Sequence, residues 1–238
     1  MSGKQVVCRM MTVLTLCLCT TAARGEDYKL EKFKVFVMGG GSSLFSSHSF
    51  TQNYRDWESK YVTGGKVIMG GEYRLSKILG FEGAYSFGAN DLDITNLTAD
   101  PNTTTRFGIR VQRVSGNIVL HSRQLISGLR PYATAGLEYV RFSPTDDAKE
   151  TASTAGGFGS TAQVDVRPDN RFGFNYGAGL EWRLSRVLGL RLDVRDHLTG
   201  SPHYQLPTTG STTGMFPVSG IAHDLEYSAG LVFYFGKK

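Results

Sequence analysis

The chain has little proline, little cysteine, no long apolar run and almost no helical periodicity. Seven prolines in 238 residues exclude a collagen-like or proline-rich disordered chain. A mean hydropathy of −0.19 is too polar for a bundle of membrane helices. The one apolar run, residues 10–19, is too short to cross a bilayer as a helix. The three cysteines, Cys8, Cys17 and Cys19, are an odd number and cannot all pair within one chain. Glycine is in excess instead, with 29 residues or about 12% against a usual ~7%.

Lys4 and Arg9 precede the apolar run, and Thr20-Thr21-Ala22-Ala23-Arg24-Gly25 follows it. A basic start, a short apolar core and small residues at the end predict a signal peptide over residues 1–25, with 26–238 as the mature domain. Leu16 and Leu18 precede Cys17 and Cys19, so the small residue that lipoprotein processing needs is missing. Cleavage removes every cysteine. It also removes Lys4, Arg9 and Arg24 and no acid, so 23 of the 26 basic residues remain against 21 acids. The charge falls from +5 to +2, and the pI of 9.1 no longer argues for a nucleic-acid partner. An exported chain without cysteine suits the bacterial envelope.

After residue 26 the pattern has period two, which predicts strands. The clearest is 78–90, where Leu79, Phe81, Gly83, Tyr85, Phe87 and Ala89 oppose Gly80, Glu82, Ala84, Ser86, Gly88 and Asn90. Similar alternation runs through 61–76, 172–184, 187–197 and 223–235. Segments 33–45, 105–122 and 129–142 are less regular. In 105–122, Phe107, Ile109 and Val111 are odd while Ile118 and Leu120 are even, which predicts a β-bulge near Arg113–Ser115. Short connections at 76–78, 122–129 and 185–187 alternate with long polar ones at 46–60, 91–104, 143–169 and 199–220. The expected fold is all-β, an eight-stranded antiparallel up-and-down barrel with the long loops at one end and both termini at the other.

Alternation fits a soluble barrel with an apolar inside, or a membrane barrel with an apolar outside. The polar face here is rich in Gly, Ala and Ser with isolated charges. Small residues and ion pairs suit a narrow filled interior. The charges expected inside are Glu72, Glu82, Glu138, Glu181, Asp193, Asp224 and Glu226, against Lys66, Arg74, Arg106, Arg110, Arg130, Arg183, Arg191 and Arg195. Seven acids and eight bases nearly cancel, as a buried ionic network requires. The apolar face places Tyr73, Trp182, Phe233 and Phe235 near strand ends, where interfacial aromatics sit. A transmembrane β-barrel is therefore the expected form.

The final run Ser228-Ala229-Gly230-Leu231-Val232-Phe233-Tyr234-Phe235 resembles the C-terminal assembly signal of bacterial outer-membrane proteins, through Ser228, Gly230, Phe233 and Phe235. It departs from that pattern by continuing through Gly236-Lys237-Lys238. Arg130-Pro131-Tyr132-Ala133-Thr134-Ala135-Gly136, Leu190-Arg191-Leu192-Asp193-Val194-Arg195-Asp196 and the last strand together resemble the OmpA/OmpX-like eight-stranded barrel family, over roughly residues 30–235. The resemblance implies a bacterial outer-membrane location with extracellular loops and periplasmic termini. It also implies a monomer without a cofactor, whose partners are outer-membrane lipid, the barrel-assembly machinery and periplasmic chaperones. That family hosts adhesins, pores, enzymes and structural proteins, so architecture follows from it and activity does not. No peptidoglycan-binding domain follows the barrel, so cell-wall anchoring is not expected.

Catalysis needs a base within reach of a nucleophile and an acid to orient it. Asp196, His197 and His223 are expected near the loop rim, but His121-Ser122 falls at the opposite end, so no triad assembles. Gly39-Gly40-Gly41-Ser42-Ser43 lacks the lysine and helix of a phosphate loop, and reads as strand packing or a bend. Asn96-Leu97-Thr98 and Asn102-Thr103-Thr104 match a glycosylation pattern but read as polar loop residues. No metal-binding cluster is apparent. Loop 46–60 carries Tyr54, Arg55 and Trp57, an aromatic–basic mixture common at binding surfaces. The expected role is non-enzymatic, structural or in surface recognition through the loops. The alternatives are a narrow channel for small solutes and, third, a lipid-modifying enzyme.

Overall fold

The computed structural model describes residues 32–45, 47–52, 55–96, 103–122, 128–153, 165–204 and 220–235. The expected leader and Tyr54 lie outside these residues. The strands are β1 (Phe33–Phe45), β2 (Ser47–Gln52), β3 (Arg55–Arg74), β4 (Leu79–Asn96), β5 (Thr103–His121), β6 (Leu129–Pro144), β7 (Asp169–Arg183), β8 (Leu188–Gly200) and β9 (Ile221–Phe235). A helix, α1 (Asp146–Ser153), follows β6. β1 and β2 are successive parts of one stave, since both pair with β3. Each later strand pairs antiparallel with the next, and β9 returns to β1. Eight staves thus close on themselves, so the membrane wall has no open edge to leave amides unpaired in lipid.

Two of the tight turns are near copies in sequence and geometry. Leu75-Ser76-Lys77-Ile78 and Leu184-Ser185-Arg186-Val187 each place a serine hydroxyl under the returning chain. Ser76 Oγ accepts from the Leu79 amide at 3.0 Å, and Ser185 Oγ accepts from the Leu188 amide at 3.0 Å. In each, a backbone bond of 3.0–3.1 Å from the leading leucine amide closes the loop. A serine that mimics a backbone acceptor is a turn device. The third turn enters β6 through Gly128 at φ 82°, a conformation that glycine adopts without steric cost.

The long connections are shorter than the sequence suggests. Most of 46–60 is the hairpin of β2 and β3, paired from Ser47–Lys60 to Gln52–Arg55. Most of 91–104 is β4 and β5, paired out to Asn96–Thr103. The 143–169 connection opens with α1, whose start is capped by Thr145 Oγ1 accepting from the Ala148 amide at 3.2 Å. Side-chain capping of this kind supplies an acceptor for a helix-end amide.

The expected bulge near Arg113–Ser115 is absent. β5 pairs without a break to β4 and to β6, and its odd residues from Phe107 to His121 all face inward. The register shift lies instead in β3, between Val62 and Gly65. The apparent slip in β5 is a change of surroundings. Near the turns the outer face meets lipid, so Val114, Ile118 and Leu120 point outward. Nearer the loops the outer face meets water, so Phe107, Ile109 and Val111 point inward and Arg106 and Arg110 outward.

Much of the glycine excess serves the interior. A Cβ at inward Gly136, Gly177 or Gly230 would run into the backbone of the neighbouring strand, and one at Gly179 into the Tyr132 hydroxyl. The outward Gly39, Gly65, Gly83 and Gly116 have nothing within 4 Å, so packing does not explain them. In the Gly39-Gly40-Gly41 run, the Tyr227 ring lies over Gly41, which makes the run a packing feature of β1.

Candidate functional site: a filled lumen and its two faces

Charged side chains fill the barrel in three layers, stacked from the turn end towards the loop end. The first is centred on Lys34 of β1. Its Nζ lies 2.8 Å from Glu72 Oε2 and 2.6 Å from Glu181 Oε2. Arg74 reaches the same two carboxylates at 3.4 and 3.6 Å. His121 Nε2 hydrogen-bonds Glu72 at 2.6 Å, and the Tyr234 hydroxyl donates to Glu181 at 2.9 Å. Arg130 stands opposite Glu181 in register, and Arg183 stacks over the Tyr234 ring at 4.5 Å. Both arginines are half-buried at the turn-end rim.

The second layer is a square of two arginines and two acids. Arg191 Nη2 lies 2.7 Å from Glu82 and 2.9 Å from Asp193. Arg195 Nη2 lies 2.8 Å from each of the same two acids. Asn117 donates to Glu82 at 3.0 Å, and the Tyr132 hydroxyl donates to Asp193 while accepting from Arg191 Nε at 2.7 Å. The Arg191 guanidinium also lies 4.3 Å from the Phe36 ring centre and 4.5 Å from that of Tyr132, a cation–π sandwich. Phe36 belongs to an apolar island with Met38, Ile68 and Val232.

The third layer joins Lys66 and Arg113 to three acids. Lys66 Nζ is 2.7 Å from Glu226 and 3.4 Å from Asp224. Arg113 reaches Asp224 at 2.9 Å and Glu138 at 3.4 Å. His197 sits between carboxylates, with Nδ1 at 2.6 Å from Glu138 and Nε2 at 3.3 Å from Glu226. Burying so many ions is costly unless each meets partners of opposite charge. Each acid here touches at least one cation or imidazole.

Above the third layer the interior turns largely apolar along β4 to β6, while Ser42, Asn90, Thr199 and Ser201 stay buried there as polar groups. Leu92, Phe107, Ile109, Val111, Val140 and Phe142 are all buried on the inward faces of β4, β5 and β6. Tyr204, from the segment after β8, is fully buried and meets Phe107 edge-on at 5.7 Å. Two hydrogen bonds tie this cap down: the Arg167 amide donates to the Tyr204 carbonyl at 3.2 Å, and the His203 amide donates to the Asp169 carboxylate at 2.7 Å.

Of the charges expected inside, Lys66, Glu72, Arg74, Glu82, Glu138, Glu181, Arg191, Asp193, Arg195, Asp224 and Glu226 are buried, and Arg130 and Arg183 line the rim. Arg110 is a correction, for it points outward and is exposed. So is Arg106, which is 64% exposed and paired outside with Asp93 at 2.9 Å. Lys34 and Arg113 take their places within. The sequence signal for Arg113 was its odd position, hidden by reading Phe107–Val111 as lipid-facing. For Lys34 it was the even face of β1, masked by Phe36 and Met38 on that face.

The outer wall carries a belt of exposed apolar side chains. Phe33, Tyr73, Trp182, Phe233 and Phe235 lie towards the turns, and Tyr139, Phe172, Phe174 and Tyr176 towards the loops. In β9, Phe233 and Phe235 face outward while Ser228 and Gly230 face inward. Filled inside and greasy outside over one band is the reverse of a soluble domain, and the arrangement of a barrel solvated by lipid. Residues 12–219 match the family model of the outer membrane protein beta-barrel domain. The chain belongs to that family.

Its place is accordingly the bacterial outer membrane. No curated relative matches the sequence. Among solved structures, the outer-membrane barrel is similar to Neisserial surface protein A, with 15% identity, a TM-score of 0.52, and 85% of this chain and 97% of that one covered. Ail, the attachment invasion locus protein of Yersinia pestis, is 10% identical with a TM-score of 0.42, covering 85% and 99%. The N-terminal barrel domain of Pseudomonas aeruginosa OprF is 16% identical with a TM-score of 0.39, covering 87% and 100%. At such identities the likeness concerns the fold.

The remaining candidates are dispersed. Arg55 and Trp57 lie in β3, with Trp57 opposite Phe50 of β2 and Asn96 of β4. The set Asp196, His197 and His223 is split by the wall. His197 points inward to Glu138. Asp196 and His223 meet on the outer face at 3.0 Å, where the Tyr176 hydroxyl also donates to Asp196 at 2.9 Å. Among the described residues, no group of three or more His, Asp or Glu is arranged to hold a metal ion.

Proposed function

We propose that this outer-membrane barrel is a sealed, non-enzymatic protein that presents its loop end to the outside of the cell for recognition, with both termini in the periplasm. The supporting observation is the contrast between its interior and its height. Three ion-paired layers and an apolar cap occupy the lumen, which favours a plug over a path. Meanwhile β3, β4 and β5 have 20, 18 and 19 residues, although about 9–11 cross a bilayer. At ~3.3 Å per residue and a tilt of about 45°, the surplus raises a sheet roughly 20 Å clear of the lipid. Such a platform has no use in a simple pore and suits contact with a partner.

Two experiments test this. In planar bilayers the folded protein should pass no steady current; a sustained conductance altered by Glu138→Ala or Arg191→Ala would establish the channel reading instead. Residues 26–238 contain no cysteine, so with Cys8, Cys17 and Cys19 replaced by serine, single cysteines report orientation cleanly. A membrane-impermeant maleimide added to intact cells should label Thr104→Cys and leave Lys77→Cys unlabelled. The opposite pattern would invert the assigned orientation.

A lipid-modifying reading draws on the Asp196–His223 pair, an oriented imidazole on the outer face. Among the described residues no serine or threonine hydroxyl is hydrogen-bonded to His223, so none of them supplies an activated nucleophile there. Lipid turnover that is present in the wild type and lost in His223→Ala would support that reading over recognition.

A further inference from the structure

The outer face of β4 to β7 changes character within one step of the pleat. One row, in register across four strands, reads Tyr85, Val114, Tyr139, Phe172. The next row towards the loops reads Phe87, Gln112, Arg141, Asn170, and the one after it Ala89, Arg110, Ser143. Rows on one face are two residues apart, about 6.6 Å. The interior changes over the neighbouring rows, from Ser115 and Glu138, through Arg113 beside Val140, to Val111 and Phe142. The outer inversion places the edge of the hydrocarbon on β5 and β6 between Val114–Tyr139 and Gln112–Arg141, and the interior changes within about a row of it.

Just above that edge lie four hydrogen-bond donors on two adjacent strands. Arg110 faces Ser143 and Gln112 faces Arg141, so the two arginines are diagonal neighbours. Both are exposed. Among the described residues, no carboxylate lies within ion-pair distance of either. Arg106, one row further out, differs because Asp93 holds it through two hydrogen bonds, at 2.9 and 3.2 Å. Asp146 of α1 attracts Arg110 only from beyond ion-pair distance and is held by Lys149 at 3.0 Å. Two guanidinium groups without a carboxylate at ion-pair distance, beside an amide and a hydroxyl at headgroup depth, match a phosphate: arginine binds its oxygens bidentately, and the aromatic row beneath accepts acyl chains.

We propose that Arg110, Gln112, Arg141 and Ser143 form a binding site for the phosphate of a lipid headgroup in the leaflet at the loop end. The site is independent of whatever partner the protruding sheet recognises. Lipid supplies the phosphate because the donors stand directly over the apolar row, so one molecule satisfies both at once.

The test uses the folded full-length protein, with folding of every variant verified by heat-modifiable gel mobility. It is placed in nanodiscs of phosphatidylcholine containing a minor fraction of diphosphorylated lipid A or its dephosphorylated form, and retained lipid is counted by native mass spectrometry. The wild type should retain the phosphorylated form several-fold over the dephosphorylated one. Arg110→Gln/Arg141→Gln should lose this preference, and Arg106→Gln should keep it. Equal retention of the two lipids by the wild type, or an unchanged preference in the double variant, would overturn the proposal. Loss of the preference in Arg106→Gln would reduce it to general surface charge. Displacement of the lipid by inorganic phosphate at matched concentration would identify a soluble anion site in its place.

Discussion

Arg110 and Arg113 stand three residues apart on β5 and on opposite sides of the barrel wall. Arg113 is 3% exposed and meets Asp224 at 2.9 Å, whereas Arg110 is exposed on the outer face. An odd spacing in a strand reverses the side-chain direction. Each arginine sits where its surroundings accept a charge: Arg113 among acids inside the lipid-embedded part, Arg110 outside where the lipid ends. The pair marks the height at which the barrel passes from lipid to water.

The square of Arg191, Arg195, Glu82 and Asp193 should be sensitive to loss of one member. Replacing one buried partner leaves the others uncompensated, which typically costs about 3–5 kcal/mol. Arg191→Met is therefore expected to lower the urea midpoint for unfolding in detergent strongly. The double change Arg191→Met/Glu82→Gln should recover part of the loss. Equal stability of Arg191→Met and wild type would show that the square adds nothing.

The apolar cap should behave as an ordinary core. Phe107 is 1% exposed and packs on Tyr204. Truncating a buried phenylalanine to alanine costs about 3–5 kcal/mol, so Phe107→Ala should destabilise the barrel by that order. Phe172→Ala, at an 82% exposed position on the outer wall, should do so far less. Hydrogen exchange should rise in 201–204 in the first variant alone.

Gly179 and Gly83 offer a matched comparison. Gly179→Ala places a methyl against the Tyr132 hydroxyl, which links Arg191 to Asp193. Overpacking of this kind costs about 1–3 kcal/mol. Gly83→Ala points into open space and should change stability by no more than about 0.5 kcal/mol. Unfolding midpoints of the two variants, measured side by side, check the ordering.

The loop-end rim should loosen in acid. Partial burial and the nearby Arg171 hold the His203 imidazole below its ordinary pKa, against the smaller pull of Asp169. A histidine lowered on folding contributes no penalty above its unfolded pKa and destabilises the folded form as pH falls below it. Exchange protection in 201–204 is thus expected to be highest at neutral pH and to drop on acidification. His203→Asn should flatten the drop; an identical drop in that variant would assign it to other groups.

Much of this architecture is legible along the chain. Period-two alternation is a property of extended backbone, so the eight staves, their apolar outer face and eleven of the buried charges could be read locally. The serine turns, the glycines and the aromatic strand ends are local signals too. What closure alone decided is which charges meet. Lys34 and Glu181 are 147 positions apart, and Arg191 and Glu82 are 109; their pairing depends on the register of every strand between them. Closure also decided where the surroundings change. A residue's polarity states what it prefers to touch, and only its height in the barrel determines whether the outer face offers lipid or water. That is why Phe107, Ile109 and Arg110 read as a shifted register in the sequence, and prove to be an unbroken strand crossing the edge of a membrane.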